Sequence, residues 1–175
     1  MKRCRLSLGS VVLVHTCFLL LAGSAATGQP RLEPLRLGGY DTSGSASGVA
    51  VSGSLAYVAD LDAGLQIIDV SNPASPVRLG GYDTSGQAFG VSVQGTIAYV
   101  ADYDAGLQII DVSNPANCVR LGGYDTSGRA FGVAVAGNRI YVAHGENGLK
   151  VFCSLPNVQY MMRVEGGHAG HAVHD

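Results

Sequence analysis

The chain has 175 residues, 47% of them hydrophobic and only 14% charged, with 25 glycines and a formal net charge of −2. So much glycine beside so few Glu, Lys and Gln excludes a helical body and favours β-structure with many tight turns. The slightly acidic balance argues against nucleic acid or an anionic membrane surface as a partner.

Lys2, Arg3 and Arg5 open the chain, Val11 to Ala22 is apolar apart from His15 and Thr16, and Gly23, Ser24, Ala25 and Ala26 follow. Basic start, apolar run and small-residue end make the three-part pattern of a signal peptide over residues 1–26. The apolar run, which contains Cys17, is shorter than the roughly 20 residues of a membrane span, and a retained membrane anchor is the competing reading. Cleavage near Ala26 leaves eight basic residues against 13 acidic ones, a net charge of −5. The expectation is a secreted, periplasmic or cell-surface protein with no membrane span after cleavage. Two cysteines then remain, Cys118 and Cys153. They are a candidate disulfide in an oxidising compartment, with two free thiols as the other reading.

Residues 27–34 read as a linker. From Leu35 onward the chain repeats itself. Leu37-Gly38-Gly39-Tyr40-Asp41-Thr42-Ser43-Gly44 returns from Leu79 to Gly86 and from Leu121 to Gly128, so that Tyr40, Tyr82 and Tyr124 stand 42 residues apart. In the middle copy Ala88 to Val93 predicts a strand and Gln94-Gly95 a tight turn. Ile97 to Ala101 predicts a second strand, and Asp102 to Gly106 turns the chain again. Leu107 to Val112 and Val119 to Tyr124 predict the third and fourth strands, with Ser113-Asn114-Pro115-Ala116 as the loop between them. Segments such as Leu65-Gln66-Ile67-Ile68 alternate poorly, as strands covered on both faces do. Four short antiparallel strands in each 42-residue copy, sandwiched by their neighbours, describe a propeller blade. The fold expected over residues 35–165 is all-β: a partial β-propeller of about three four-stranded antiparallel blades. A parallel β-helix is disfavoured, its coil being shorter than this period.

Leu65 to Pro73 and Leu107 to Pro115, with Tyr57-Val58-Ala59-Asp60 and Tyr99-Val100-Ala101-Asp102 upstream, resemble the LVIVD repeat. The resemblance runs from residue 37 to about 153. It implies a β-propeller in secreted or surface proteins of bacteria and archaea, generally without an assigned activity, and it brings no catalytic residues.

The third copy departs from the pattern. His144 stands where the earlier copies have Asp60 and Asp102. Glu146-Asn147-Gly148 replaces Asp-Ala-Gly, and Leu149-Lys150-Val151-Phe152-Cys153 replaces Leu-Gln-Ile-Ile-Asp. Tyr160 to Val164 is a candidate fourth strand, and residues 166–175 read as a disordered tail. His168, His171 and His174 in that tail have a spacing that suits no rigid metal site. Three blades fall short of the ~4–8 of closed propellers. The arc is therefore expected to self-associate, to be completed by another protein, or to be a fragment of a longer gene product.

The turns between second and third strands share a face with the connections between blades. Asp60, Asp62, Asp102 and Asp104 thus come near Asp41, Asp83 or Asp125, making one face acidic and a candidate for calcium or a basic partner. The competing reading has these carboxylates holding the turns by accepting backbone N–H bonds. Asp69 and Asp111, each just before Ser-Asn-Pro, read as turn acceptors on the opposite face, beside Arg36, Arg78 and Arg120.

No Gly-x-Ser-x-Gly elbow, Cys-x-x-Cys pair or phosphate loop is present, and the acid pair of the first copy recurs unchanged in the second. A reaction needs unlike groups at one spot. The expected function is an extracytoplasmic, non-enzymatic binding or scaffold module without a cofactor, with a protein or surface glycan as partner. The alternatives are a fragment of a larger surface propeller and, behind it, a hydrolase or lyase.

Overall fold

The computed structural model describes residues 33–154. Residues 1–26 with the expected signal peptide, most of the expected linker, the candidate strand from Tyr160 to Val164 and the histidine-bearing tail lie outside the described residues. The chain divides into two units, Met1–Leu35 and Arg36–Asp175. All strands described below belong to the second.

Blade 1 comprises β1 (Gly48–Ser52), β2 (Leu55–Ala59), β3 (Leu65–Asp69) and β4 (Val77–Tyr82). Blade 2 comprises β5 (Gly90–Gln94), β6 (Ile97–Ala101), β7 (Leu107–Asp111) and β8 (Val119–Tyr124). Blade 3 comprises β9 (Ala130–Ala136), β10 (Arg139–His144) and β11 (Gly148–Cys153). Each blade is an antiparallel meander whose strands lie in chain order, and no helix occurs among the described residues. The fold is an all-β partial propeller with sheets of four, four and three strands. The third blade has no outer strand among the described residues.

Turn chemistry fixes each meander. Two residues join β1 to β2, β5 to β6 and β9 to β10, and the first of them is Gly53, Gly95 or Gly137, each at φ +60°. Glycine at the first turn position suits a type II′ hairpin, whose twist matches the strands it joins. In the inner hairpins of blades 1 and 2 the register runs unbroken, Ser52 opposite Leu55 and Gln94 opposite Ile97, while that of blade 3 shifts between Ala143 and His144. The outer pairs shift register between Ile67 and Ile68, and again between Ile109 and Ile110. These bulges turn the outer strand relative to the rest of its sheet.

The innermost strands β1, β5 and β9 lie side by side. A Cβ on Gly48 would fall 2.7 Å from the Phe89 carbonyl oxygen, and one on Gly90 would fall 2.9 Å from the Gly132 Cα. Glycine is required there because backbone meets backbone. Further out, Tyr57, Ala59, Leu65 and Ile67 of blade 1 pack on Val91, Ala98, Val100 and Ile110 of blade 2. Tyr99, Ala101 and Leu107 of blade 2 pack in the same way on Ile140 and Val142 of blade 3. Burying each Leu or Ile stabilises the fold by about 1.5–3 kcal/mol, so the blade junctions hold most of the core.

The two ends of the arc lack this cover. In blade 3 Leu149 is 63% exposed, whereas its counterparts Leu65 and Leu107 are 0% and 1% exposed. At the other end Val49 and Val51 are exposed on β1, beside the separate small cluster of Ala56, Val58 and Ile68.

Candidate functional site

The turn between β2 and β3 begins with Asp60, and that between β6 and β7 with Asp102. Both are fully buried. Asp60 accepts the Thr42 hydroxyl at 2.7 Å on one carboxylate oxygen and the Gly44 N–H at 2.9 Å on the other. Asp102 accepts the Thr84 hydroxyl at 2.6 Å and the Gly86 N–H at 3.0 Å. Each aspartate thus clamps the connection that leads into its own blade. Burial pushes the Asp102 carboxyl above its usual range, against the opposing pull of the Thr84 and Gly86 bonds. The threonine and glycine belong to the Thr-Ser-Gly stretch that recurs in every copy. Their fixed spacing to the following aspartate is the signal that links them.

Asp62 and Asp104 lie two residues further on and are exposed. Gln87 donates to Asp62 at 2.8 Å, and the Arg129 guanidinium stands 3.7 Å from Asp104. Each contact joins a turn of one blade to the connection entering the next. An exposed ion pair of this kind contributes roughly 0–1 kcal/mol. The four aspartates therefore fall into a buried pair and an exposed pair. Among the described residues no three His, Cys, Asp or Glu side chains come together in a way that could hold a metal ion.

A backbone bridge reinforces the same junctions. Leu61 and Ala88 exchange N–H and carbonyl bonds at 3.1 Å, and Tyr103 and Ala130 do so at 3.1 and 3.0 Å. Leu61 and Tyr103 take positive φ values of 43° and 47° to reach across. A conformation uncommon for such side chains is held by the bonds it makes. Tyr103 then lies 5.1 Å from Phe89 and 5.5 Å from Phe131, centroid to centroid, with Arg129 over its ring. This aromatic group was not legible from spacing, because its members come from two blades.

On the opposite face Asp69 accepts from the Ser71 N–H at 2.8 Å and Asp111 from the Ser113 N–H at 2.9 Å. These bonds hold both carboxyls below their usual range. Arg78 and Arg120 do not pair with these aspartates but donate to Gln66 and Gln108, each at 2.5 Å. The candidate disulfide is not formed: Cys118 and Cys153 are free thiols on different blades. Cys118 is half-buried against the Asn114 and Pro115 carbonyls, and Cys153 is exposed and accepts from the Asn138 amide. Burial raises the Cys118 thiol above its usual range, with the Asp111 charge adding to the effect.

Blade 3 breaks the aspartate clamp. His144 occupies the aspartate position, is buried, and has no partner for either ring nitrogen. Thr126, with no carboxylate to meet, donates instead to the Gly128 carbonyl at 2.8 Å. Gly128 itself swings to φ +150° beneath the imidazole. A cavity of about 250 Å³ opens beside this loop, walled by Phe131, His144 and Asn147 and rimmed by Asp104, Arg129 and Glu146.

Among solved structures, the computationally designed Ika4 protein is similar at a TM-score of 0.54 and 11% identity, over 70% of this chain and 74% of that one. The computationally designed Ika8 protein is similar at a TM-score of 0.50 and 13% identity, over 62% of this chain. The match spans 33% of the Ika8 chain. At these identities the likeness is one of fold alone. No curated protein matches the chain. The model of the LVIVD repeat matches residues 43–84, 85–126 and 127–152, the same three units that the blades delimit. By three consecutive matches over most of its described length, the chain belongs to the LVIVD repeat family.

Proposed function

We propose that this chain is an extracytoplasmic, non-enzymatic binding or scaffold module built of LVIVD-type blades and incomplete as a single copy. The observation that carries the reading is the use made of its polar groups. The buried aspartates of blades 1 and 2 are spent on identical clamps to Thr and Gly, and the exposed ones recur at equivalent turns. Equivalent groups at equivalent turns make a repeated recognition surface, not a reaction centre. The leader pattern of residues 1–26 supports a place outside the cytoplasm. A basic protein segment or a surface glycan is the partner class that the exposed Asp62 and Asp104 suit.

Mass spectrometry of the chain recovered from a secreting host tests the location: a mature N-terminus near residue 27 is expected, and an intact leader in the cytosol overturns it. Binding is tested on glycan and basic-peptide arrays, where saturable binding weakened by Asp62→Asn and Asp104→Asn is expected. Silence on both arrays overturns the partner class. A hydrolase activity lost in a single Asp→Asn variant would replace the binding role. Calorimetry with Ca²⁺ is expected to show no heat, because the two buried carboxylates already accept protein donors.

A further inference from the structure

Three sets of inner strands and three outer-strand sequences are present, but they are displaced by one blade. Leu35-Arg36-Leu37-Gly38-Gly39-Tyr40 repeats the sequence of β4 and β8, apart from Leu35 in place of Val77 and Val119. It precedes β1, belongs to no sheet, and leaves Leu37 and Tyr40 65% and 42% exposed. At the other end β11 has no outer neighbour among the described residues.

The orphan segment already occupies the place of an outer strand. A Cβ on Gly38 would fall 2.0 Å from the Pro73 carbonyl oxygen, just as one on Gly80 would fall 2.0 Å from that of Pro115. Arg36–Tyr40 therefore sits against blade 1 as β4 sits against blade 2. It is the outer edge of a blade whose inner strands this chain does not place before blade 1. Gly122, the third member of the series, meets nothing within 4 Å.

We propose that a second copy of this chain completes both ends: Arg36–Tyr40 of each copy pairs with β11 of the other, closing a two-chain propeller. This deepens the incompleteness stated above and rests on that part of the reading alone, not on what the surface binds. The register follows from the pairs Leu65 with Tyr82, Gln66 with Gly81 and Ile67 with Gly80. Carried over by the repeat, Leu149 meets Tyr40, Lys150 meets Gly39 and Val151 meets Gly38 of the other copy. The exposed Leu149 and Val151 then face the cluster of Ala56, Val58 and Ile68 across the new junction. That junction has the same chemistry as the two already made inside the chain. Joining unlike ends head to tail closes only if the rotation fits. Two copies bring six sheets, inside the ~4–8 blades of closed propellers, where one copy falls below that range.

The test combines mass and cross-linking. Light scattering of the purified mature chain is expected to give twice the mass of one copy. The pair of β3 residue Asp69 with Val77 translates to Cys153 opposite Leu35. In a Cys118→Ser background, Leu35→Cys is therefore expected to give an oxidised covalent dimer with positions 35 and 153 linked between copies. Leu149→Glu changes a residue that is exposed in the single chain, so it should fold and run as a monomer. A monomeric wild-type chain overturns the proposal. So do an open series of larger polymers, a dimer that withstands Leu149→Glu, and a failure of the 35–153 link. A chain ended after Ser154 is expected to remain dimeric; dissociation on that truncation shows that the C-terminal segment, not Arg36–Tyr40, holds the two copies together, and overturns the proposal.

Discussion

Thr84 and Asp102 stand eighteen residues apart and meet out of solvent, hydroxyl to carboxylate, at 2.6 Å. Thr42 and Asp60 make the same bond at 2.7 Å across the same sequence distance. These bonds tie the entry of blades 1 and 2 to the far end of their own second strands, so a recurring turn motif is half of a tertiary clamp.

Breaking that clamp is expected to cost stability in a coupled way. Asp102→Asn keeps the acceptor for Thr84 but turns an amide N–H₂ toward the Gly86 N–H, donor against donor. A buried donor left unsatisfied costs about 1–3 kcal/mol. Thr84→Val leaves the carboxylate short of one partner at a similar cost. Urea denaturation of the two single variants and the double variant should show that their losses do not add, because both change the partners of one buried side chain.

The third copy supplies the reverse experiment. His144 is buried with both ring nitrogens unpartnered, and Thr126 and Gly128 face it in place of a carboxylate's partners. His144→Asp restores the clamp of the first two blades. It is expected to raise stability by about 1 kcal/mol, the net worth of one or two recovered hydrogen bonds. A crystal structure of the variant should show the Thr126 hydroxyl turned to the new carboxylate. A fall in the urea midpoint would show that the imidazole packs better than its unmet nitrogens suggest.

Much of this architecture was legible in the sequence, and the reason is local. β6 and β8 span the residues expected of them, Ile97–Ala101 and Val119–Tyr124, because an apolar run bounded by glycine, aspartate or proline needs little tertiary help to declare itself. The acidic turns were placed on the right side of the blades, near the connections. What could not be read was their division into a buried and an exposed pair. Asp60 and Asp62 differ by two residues in the same turn, and only the packed connection decides which carboxylate leaves water. The Tyr103–Phe89–Phe131 contacts were illegible for the same reason, since they are made between blades. His144 stood out as a departure from the repeat, but its loss of both partners became visible only with Thr126 and Gly128 beside it.

Two sets of carboxylates set opposite pH dependences. Asp102 is raised by burial. A raised folded-state value contributes stability below the unfolded carboxylate range, and that contribution is lost as pH rises through the folded value. Asp69 and Asp111 are lowered, first by the backbone bonds from Ser71 and Ser113. Their contribution is present above the unfolded range and is lost as pH falls through their folded values. Asp111→Ala is therefore expected to lower the urea midpoint at neutral pH and to approach the wild type at a pH below the ordinary carboxylate range. A gap that stays constant with pH would assign the loss to the turn itself and not to the charge.

The axial glycines separate what holds one chain together from what joins two. Gly90 and Gly132 are repeat counterparts in a backbone conformation open to alanine, yet their surroundings differ. A Cβ on Gly90 falls 2.9 Å from the Gly132 Cα and 3.0 Å from the Phe131 carbonyl oxygen, while one on Gly132 meets nothing closer than 3.6 Å. Backbone on the far side cannot step aside as a flexible side chain can. Gly90→Ala should push β5 from β9 and cost about 1–3 kcal/mol, the range of overpacked cores. Gly132→Ala has room within the single chain and should leave its urea midpoint nearly unchanged, or slightly raised by the lower entropy of the unfolded state. In a closed pair, however, Gly132 meets β1 of the second copy as Gly90 meets β9, so the same alanine should weaken dimerisation in sedimentation equilibrium. Equal effects of the two substitutions on single-chain stability would mean that the inner strands do not converge as closely as the backbone positions indicate.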